Sequence, residues 1–175
     1  MSIALLVVGL GNPGVRYADT RHNVGFMVAD RLVPDASAFR AKFSGEFAQQ
    51  SIGSSRLGVL KPLTFMNESG RSVRAAATFF KLEPRQVVVI HDELDLPFGQ
   101  LRLKSGGGDA GHNGLKSITA ELGSADYVRL RLGIGRPPAT FGGSVADFVL
   151  QAFPLADRGT RSEEPSCRER VYAVV

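Results

Sequence analysis

Apolar positions change their period several times along the chain, and each change marks an element. The continuous run Ile3 to Val8 reads as a buried strand. After a polar, glycine-rich stretch, Val24, Met27, Val28 and Leu32 recur at helical spacing. Glu46 to Ile52 and Arg56 to Leu60 read as two strands joined through Gly53-Ser54-Ser55, a hairpin. Val73, Ala76, Ala77 and Phe80 mark one face of a second helix, closed by Pro84. Val87-Val88-Val89-Ile90 is β-branched without alternation, which predicts a strand buried on both faces of a parallel sheet. His91-Asp92-Glu93-Leu94-Asp95 then falls just past its end. Gln100 to Lys104 and Tyr127 to Leu132 alternate, with leucines on one face and Arg102, Lys104, Arg129 and Arg131 on the other. Between them Leu115, Ile118 and Leu122 mark a helix that Gly123 stops. Ser144 to Phe153 gives another short helix. Strands alternating with helices predict a single α/β domain, a mixed and mostly parallel twisted sheet flanked by helices.

The pattern fails after Leu155. Arg158 to Arg170 is charged, holds Pro165 and shows no apolar stripe. The chain therefore divides into a domain over 1–157 and a tail over 158–175, expected to hold little regular structure. A domain surface left uncovered by that tail would invite self-association.

Composition narrows the class. With 175 residues, 43% hydrophobic and 22% charged, the chain has enough apolar material for one real core. A net charge of +4 and a pI near 9.6 permit a polyanionic partner without naming one. Cys167 is the single cysteine, so no intrachain disulfide forms, which suits a reducing cytosol. No stretch is long and apolar enough for a membrane span, and the N-terminal run lacks the form of a signal peptide.

Chemistry gathers at the turns. Gly9 to Asn23 packs three glycines, Pro13, two asparagines and His22 between a strand and a helix, where open α/β sheets bind ligands. Gly9-x-Gly11-x-x-Gly14 has dinucleotide spacing, but Pro13 removes an N–H from the loop and no helix opens directly after Gly14. His22 is the best general base, and Asp92 is placed to orient it. Asn12, Asn67 and Asn113 offer amide donors, although Asn67 by itself reads as a helix N-cap. A rival reading takes Asp92, Glu93 and Asp95 as ligands of a divalent cation. His91 and His112 read as histidines satisfied by backbone. Ser105 to Gly114 is a glycine-rich loop entering a helix, suited to an anion or to a lid.

These motifs, in order, resemble bacterial peptidyl-tRNA hydrolase. The resemblance rests on Gly9-Leu10-Gly11-Asn12-Pro13-Gly14 with Tyr17 and Thr20-Arg21-His22-Asn23, then Lys61-Pro62 with Thr64-Phe65-Met66-Asn67 and Ser69-Gly70. It continues in His91-Asp92-Glu93-Leu94-Asp95, Gly106-Gly107-Gly108, Gly111-His112-Asn113-Gly114-Leu115-Lys116 and Arg129 to Pro137. The resemblance implies a cofactor-free, metal-free cytoplasmic monomer that hydrolyses the ester between a peptide and the tRNA 3′ ribose. It implies His22 as the base that activates water and Asp92 as its partner. Asn12, Tyr17, Met66, Asn67 and Asn113 would bind substrate, and Arg102, Lys104 and Arg131 the tRNA phosphate. A non-catalytic, splicing-factor type RNA-binding relative of the same fold is the alternative. The family usually continues through a longer C-terminal helix, and Asp157 to Val175 does not match it.

Overall fold

Residues 2–154 are described by a computed structural model, so the segment 158–175 expected to form a tail lies outside the described residues. The strands are β1 Leu5–Gly9, β2 Arg40–Lys42, β3 Gly45–Ile52, β4 Ser55–Pro62, β5 Val87–Glu93, β6 Leu101–Ser105 and β7 Val128–Gly133. The helices are α1 Val24–Leu32, α2 Ser69–Phe80, α3 Asn113–Leu122 and α4 Val145–Val149. One sheet runs β2-β3-β4-β1-β5-β7-β6. The inner run β4-β1-β5-β7 is parallel, and the β3–β4 hairpin, β2 and β6 add antiparallel edges.

The apolar alternation decides the layers. Leu6, Val8 and Val89 face α2 and α3, packing with Val73, Ala76, Leu115, Ile118 and Tyr127. Val7, Ile90 and Leu132 face the other way, against Val24, Met27 and Val28 of α1 and Phe148 and Val149 of α4. Glycine sets the closeness of one contact: a Cβ on Gly9 would stand 2.2 Å from the Gly25 carbonyl oxygen, so only glycine lets α1 lie on β1. α2 ends at Lys81, which adopts the left-handed conformation at φ 56°, so the helix stops three residues before Pro84.

Three expectations change. β5 does not end at Ile90 but continues to Glu93, because β7 pairs with it through Arg131, Leu132 and Gly133. His91 and Asp92 are therefore strand residues with fixed, opposite directions. Leu103, expected on the apolar face with Leu101, is 70% exposed because β6 is the last strand of the sheet. Arg129, expected on a basic surface, is 2% exposed. Its guanidinium donates to the carbonyls of Gly107 and Gly108 and lies 4.8 Å from the centre of the Tyr127 ring. The glycine-rich loop folds back over β7, and Arg129 holds it there.

Candidate active site

The loop after β1 is built by asparagine pairing with backbone. Asn23, 1% exposed, accepts the Asn12 N–H at 2.8 Å and donates its amide to the Asn12 carbonyl at 2.9 Å. Asn12 in turn accepts the Met66 N–H through Oδ1 at 2.8 Å. That contact uses Oδ1, which leaves Nδ2 with no hydrogen bond among the described residues, in a residue that lines the cleft. Val15–Tyr17 and Arg21–Asn23 are single 3₁₀ turns, the second carrying His22 into α1. Arg21 reaches the carbonyls of Phe148, Gln151 and Ala152, so the end of α4 is tied to the same turn.

His22 Nδ1 lies 3.0 Å from both oxygens of Asp92. Burial by itself would raise the Asp92 carboxyl. The positive charge that His112 and His22 carry when protonated, and the hydrogen bonds that both rings make to it, overcome that and hold it well below the usual carboxylate range. An ionised carboxylate only accepts, so His22 donates from Nδ1 and its neutral ring presents an unprotonated Nε2. The ring is nearly covered and lines a cleft of about 560 Å³.

His112 meets the same carboxylate from the other side, its Nε2 2.9 Å from Asp92 Oδ1. The two imidazoles stand 4.9 Å apart, centre to centre. His91 points away from Asp92 along the strand: its Nδ1 donates to the Asp92 carbonyl at 2.7 Å, and its buried Nε2 has no partner. His22, Asp92 and His112 are the one set of potential metal donors that converges among the described residues, within 4.8 Å. Both imidazole–carboxylate contacts have hydrogen-bond length and geometry, so the set reads as a proton-sharing network. The rival acidic cluster does not converge. Asp92 is held by two histidines, Asp95 pairs with Arg136, and Glu93 accepts the Asp95 N–H.

Of the residues expected at the site, His22, Asp92, Asn12, Tyr17, Met66, Asn67 and Asn113 all line this one cleft. Asn67 is not an N-cap. It sits inside a 3₁₀ turn, Met66–Glu68, with no capping bond, and its amide is exposed. Asn113 opens α3, where His112 occupies the N-cap position and accepts the Gly114 and Leu115 N–H groups through Nδ1. Arg102, Lys104 and Arg131 stand apart from the cleft, on β6 and its neighbour β7 at one end of the sheet. Arg102 is opposite Arg131, which is opposite His91, so the three lie in one row on one face, about 5 Å between strands. Lys104 lies along the loop, its ammonium 2.8 Å from where a Gly107 Cβ would be. Sequence reasoning missed the apolar wall from α4, Val145, Val149 and Leu150, and the part played by His112.

A family model described as Peptidyl-tRNA hydrolase matches residues 6–171. A protein of Sorangium cellulosum named peptidyl-tRNA hydrolase is 57% identical over 173 residues, which is 98% of this chain and 76% of that protein. One of the same name from Nocardia farcinica is 53% identical over 156 residues, 87% of this chain and 80% of its own length. Among solved structures, peptidyl-tRNA hydrolase from Acinetobacter baumannii superposes with a TM-score of 0.77 at 38% identity, covering 88% of this chain and 80% of that one.

Proposed function

The chain belongs to the peptidyl-tRNA hydrolase family, and from that premise we propose that His22 is the base by which it hydrolyses the ester between peptide and tRNA. His22 Nε2 takes a proton from water as the hydroxide oxygen adds to the ester carbonyl carbon. The tetrahedral species collapses, the bond to the ribose 3′ oxygen breaks, and His22 returns its proton to that oxygen. Asp92 holds the ring with Nδ1–H inward and stabilises the imidazolium between these two steps. In this reading the Asn12 amide donates to the ester oxygen, and Asn67 and Asn113, which line the same cleft, donate to other groups of the substrate. The observation that carries this reading is His22 Nδ1 at 3.0 Å from both Asp92 oxygens, in a cleft that also holds three asparagines.

The basic row accounts for the rest of the substrate. Arg102, Lys104 and Arg131 form a phosphate-binding surface beginning one strand away from His91, on the same face of the sheet. Phosphate contacts there position the tRNA while the chemistry takes place at Asp92 and His22. Within the described residues no helix is long and apolar enough to cross a membrane. A cytoplasmic monomer acting in translation fits the family.

Incubation with an N-acylated aminoacyl-tRNA tests the function. The chain should release the acyl-amino acid and leave a tRNA that can be charged again. Binding of that tRNA without release would reduce the chain to a binding module on the same fold.

A further inference from the structure

We propose that His112 is a positioning residue that sets the basicity of His22, by competing for Asp92 as a donor whose proton is locked in place by helix α3. Its bearing on catalysis rests on the reading of His22 as the base.

The lock is geometric. The Nδ1 of His112 accepts two backbone N–H groups, from Gly114 at 3.1 Å and Leu115 at 3.4 Å. A nitrogen that accepts carries no proton, so the neutral ring holds its proton on Nε2, which points at Asp92 Oδ1 at 2.9 Å. Protonating Nδ1 would break the N-cap of α3 and set a positive ring against the positive end of the helix. His112 is thereby kept as a neutral donor. Asp92 divides its charge between this donor and His22, which meets the same carboxylate at 3.0 Å.

The direction of the effect follows. Each hydrogen bond accepted by Asp92 from elsewhere weakens its hold on an imidazolium at His22. With His112 in place, His22 gives up its proton more readily and is a free base at lower pH. Without that donor, Asp92 favours the imidazolium and the free base appears only at higher pH.

The surrounding charges are few. His91, on the strand of Asp92, stands 5.1 Å from His112 between ring centres. From β7 come Arg131, opposite His91, and Arg129, whose guanidinium is engaged by the loop leading to His112. Tyr17, Glu93 and Asp109 line the cleft. None of these donates to Asp92 Oδ1 or Oδ2, so His112 is the one donor that competes with His22 among the described residues.

Two substitutions separate the donor from the cap. Asparagine places an oxygen where Nδ1 was and reaches no further, so His112→Asn keeps the cap and loses the donor. Glutamine places an amide where Nε2 was, so His112→Gln keeps the donor and loses most of the cap. The His22 imidazole is titrated by NMR, which needs no turnover, and kcat/KM is followed against pH in parallel. In His112→Asn the His22 titration and the acidic limb should both move up by about one pH unit. Activity should then fall about tenfold at the foot of the limb and little on its plateau, with thermal stability kept. In His112→Gln the limb should stay near its place while the melting temperature drops by a few degrees. An unmoved His22 titration in His112→Asn would overturn the proposal, as would an equal activity loss at every pH. If the NMR titration moves but the limb does not, the proposal stands and His22 is not the base.

Discussion

Asp92 is one carboxylate serving two imidazoles, and its replacement by amide separates charge from shape. Asp92→Asn keeps the volume but offers one acceptor atom and no charge, so His22 loses its tautomer and the support of its imidazolium. kcat should fall by about two to three orders of magnitude with KM nearly unchanged, read in single-turnover peptide release. Asn23 is buried, and its side chain closes both polar groups of the buried Asn12 backbone. Asn23→Ala should cost about 1–3 kcal/mol in urea unfolding for the groups left unpaired. Sequence reading set His22 and Asp92 side by side, and the two side chains do meet, because β1 and β5 are adjacent. It set His112 aside as satisfied by backbone. That is true of Nδ1, and nothing in a one-dimensional sequence says where the second nitrogen of such a ring points.

At the scale of elements, the alternation of β6 and β7 was legible and the path of the loop above them was not. The period of two put Arg102, Lys104, Arg129 and Arg131 on one face, and the pairing of the strands agrees. The burial of Arg129 depends on residues 106–108 returning over β7, which composition alone does not reveal. The two arginines of β7 should therefore behave differently. Arg131→Ala and Lys104→Ala should raise KM for peptidyl-tRNA with little change in kcat, and each should flatten the salt dependence of binding by about one phosphate contact. Arg129→Met should leave that slope alone. It strands the Gly107 and Gly108 carbonyls, so hydrogen exchange should quicken across residues 106–112 while β5 and β1 keep their protection.

For the whole molecule, the sheet order joins the site to stability. Burial first, and then any positive charge on the neighbouring His112, push the His91 imidazole down to about 3, against the opposing pull of Asp92. In the unfolded chain it titrates near 6.5, so between about pH 6.5 and 3 the unfolded state binds more protons. Stability from this group is complete above about 6.5 and is lost as pH falls. From pH 6.5 to 5 the loss should approach 2 kcal/mol (about 1.4 per pH unit), and His91→Phe should reduce that slope in urea titrations. The depressed Asp92 carboxyl acts in a separate window. Its stabilisation is present above about pH 3.9 and is lost only below it. The overall α/β architecture was readable because the apolar period changes at nearly every element boundary. Of the antiparallel edges, the β3–β4 hairpin was readable from its Gly53-Ser54-Ser55 turn, whereas the short β2 and the place of β6 beside β7 were not fixed by the pattern.

The central claim is that His22 takes the proton from water, and it is tested by comparing turnover with binding in one variant. Peptide release by His22→Ala is measured at saturating peptidyl-tRNA, alongside its dissociation constant for the same tRNA. Release should fall by about two to four orders of magnitude with binding within a factor of about two or three of the unsubstituted chain. Near-normal release by His22→Ala, with or without an added divalent cation, would contradict the account.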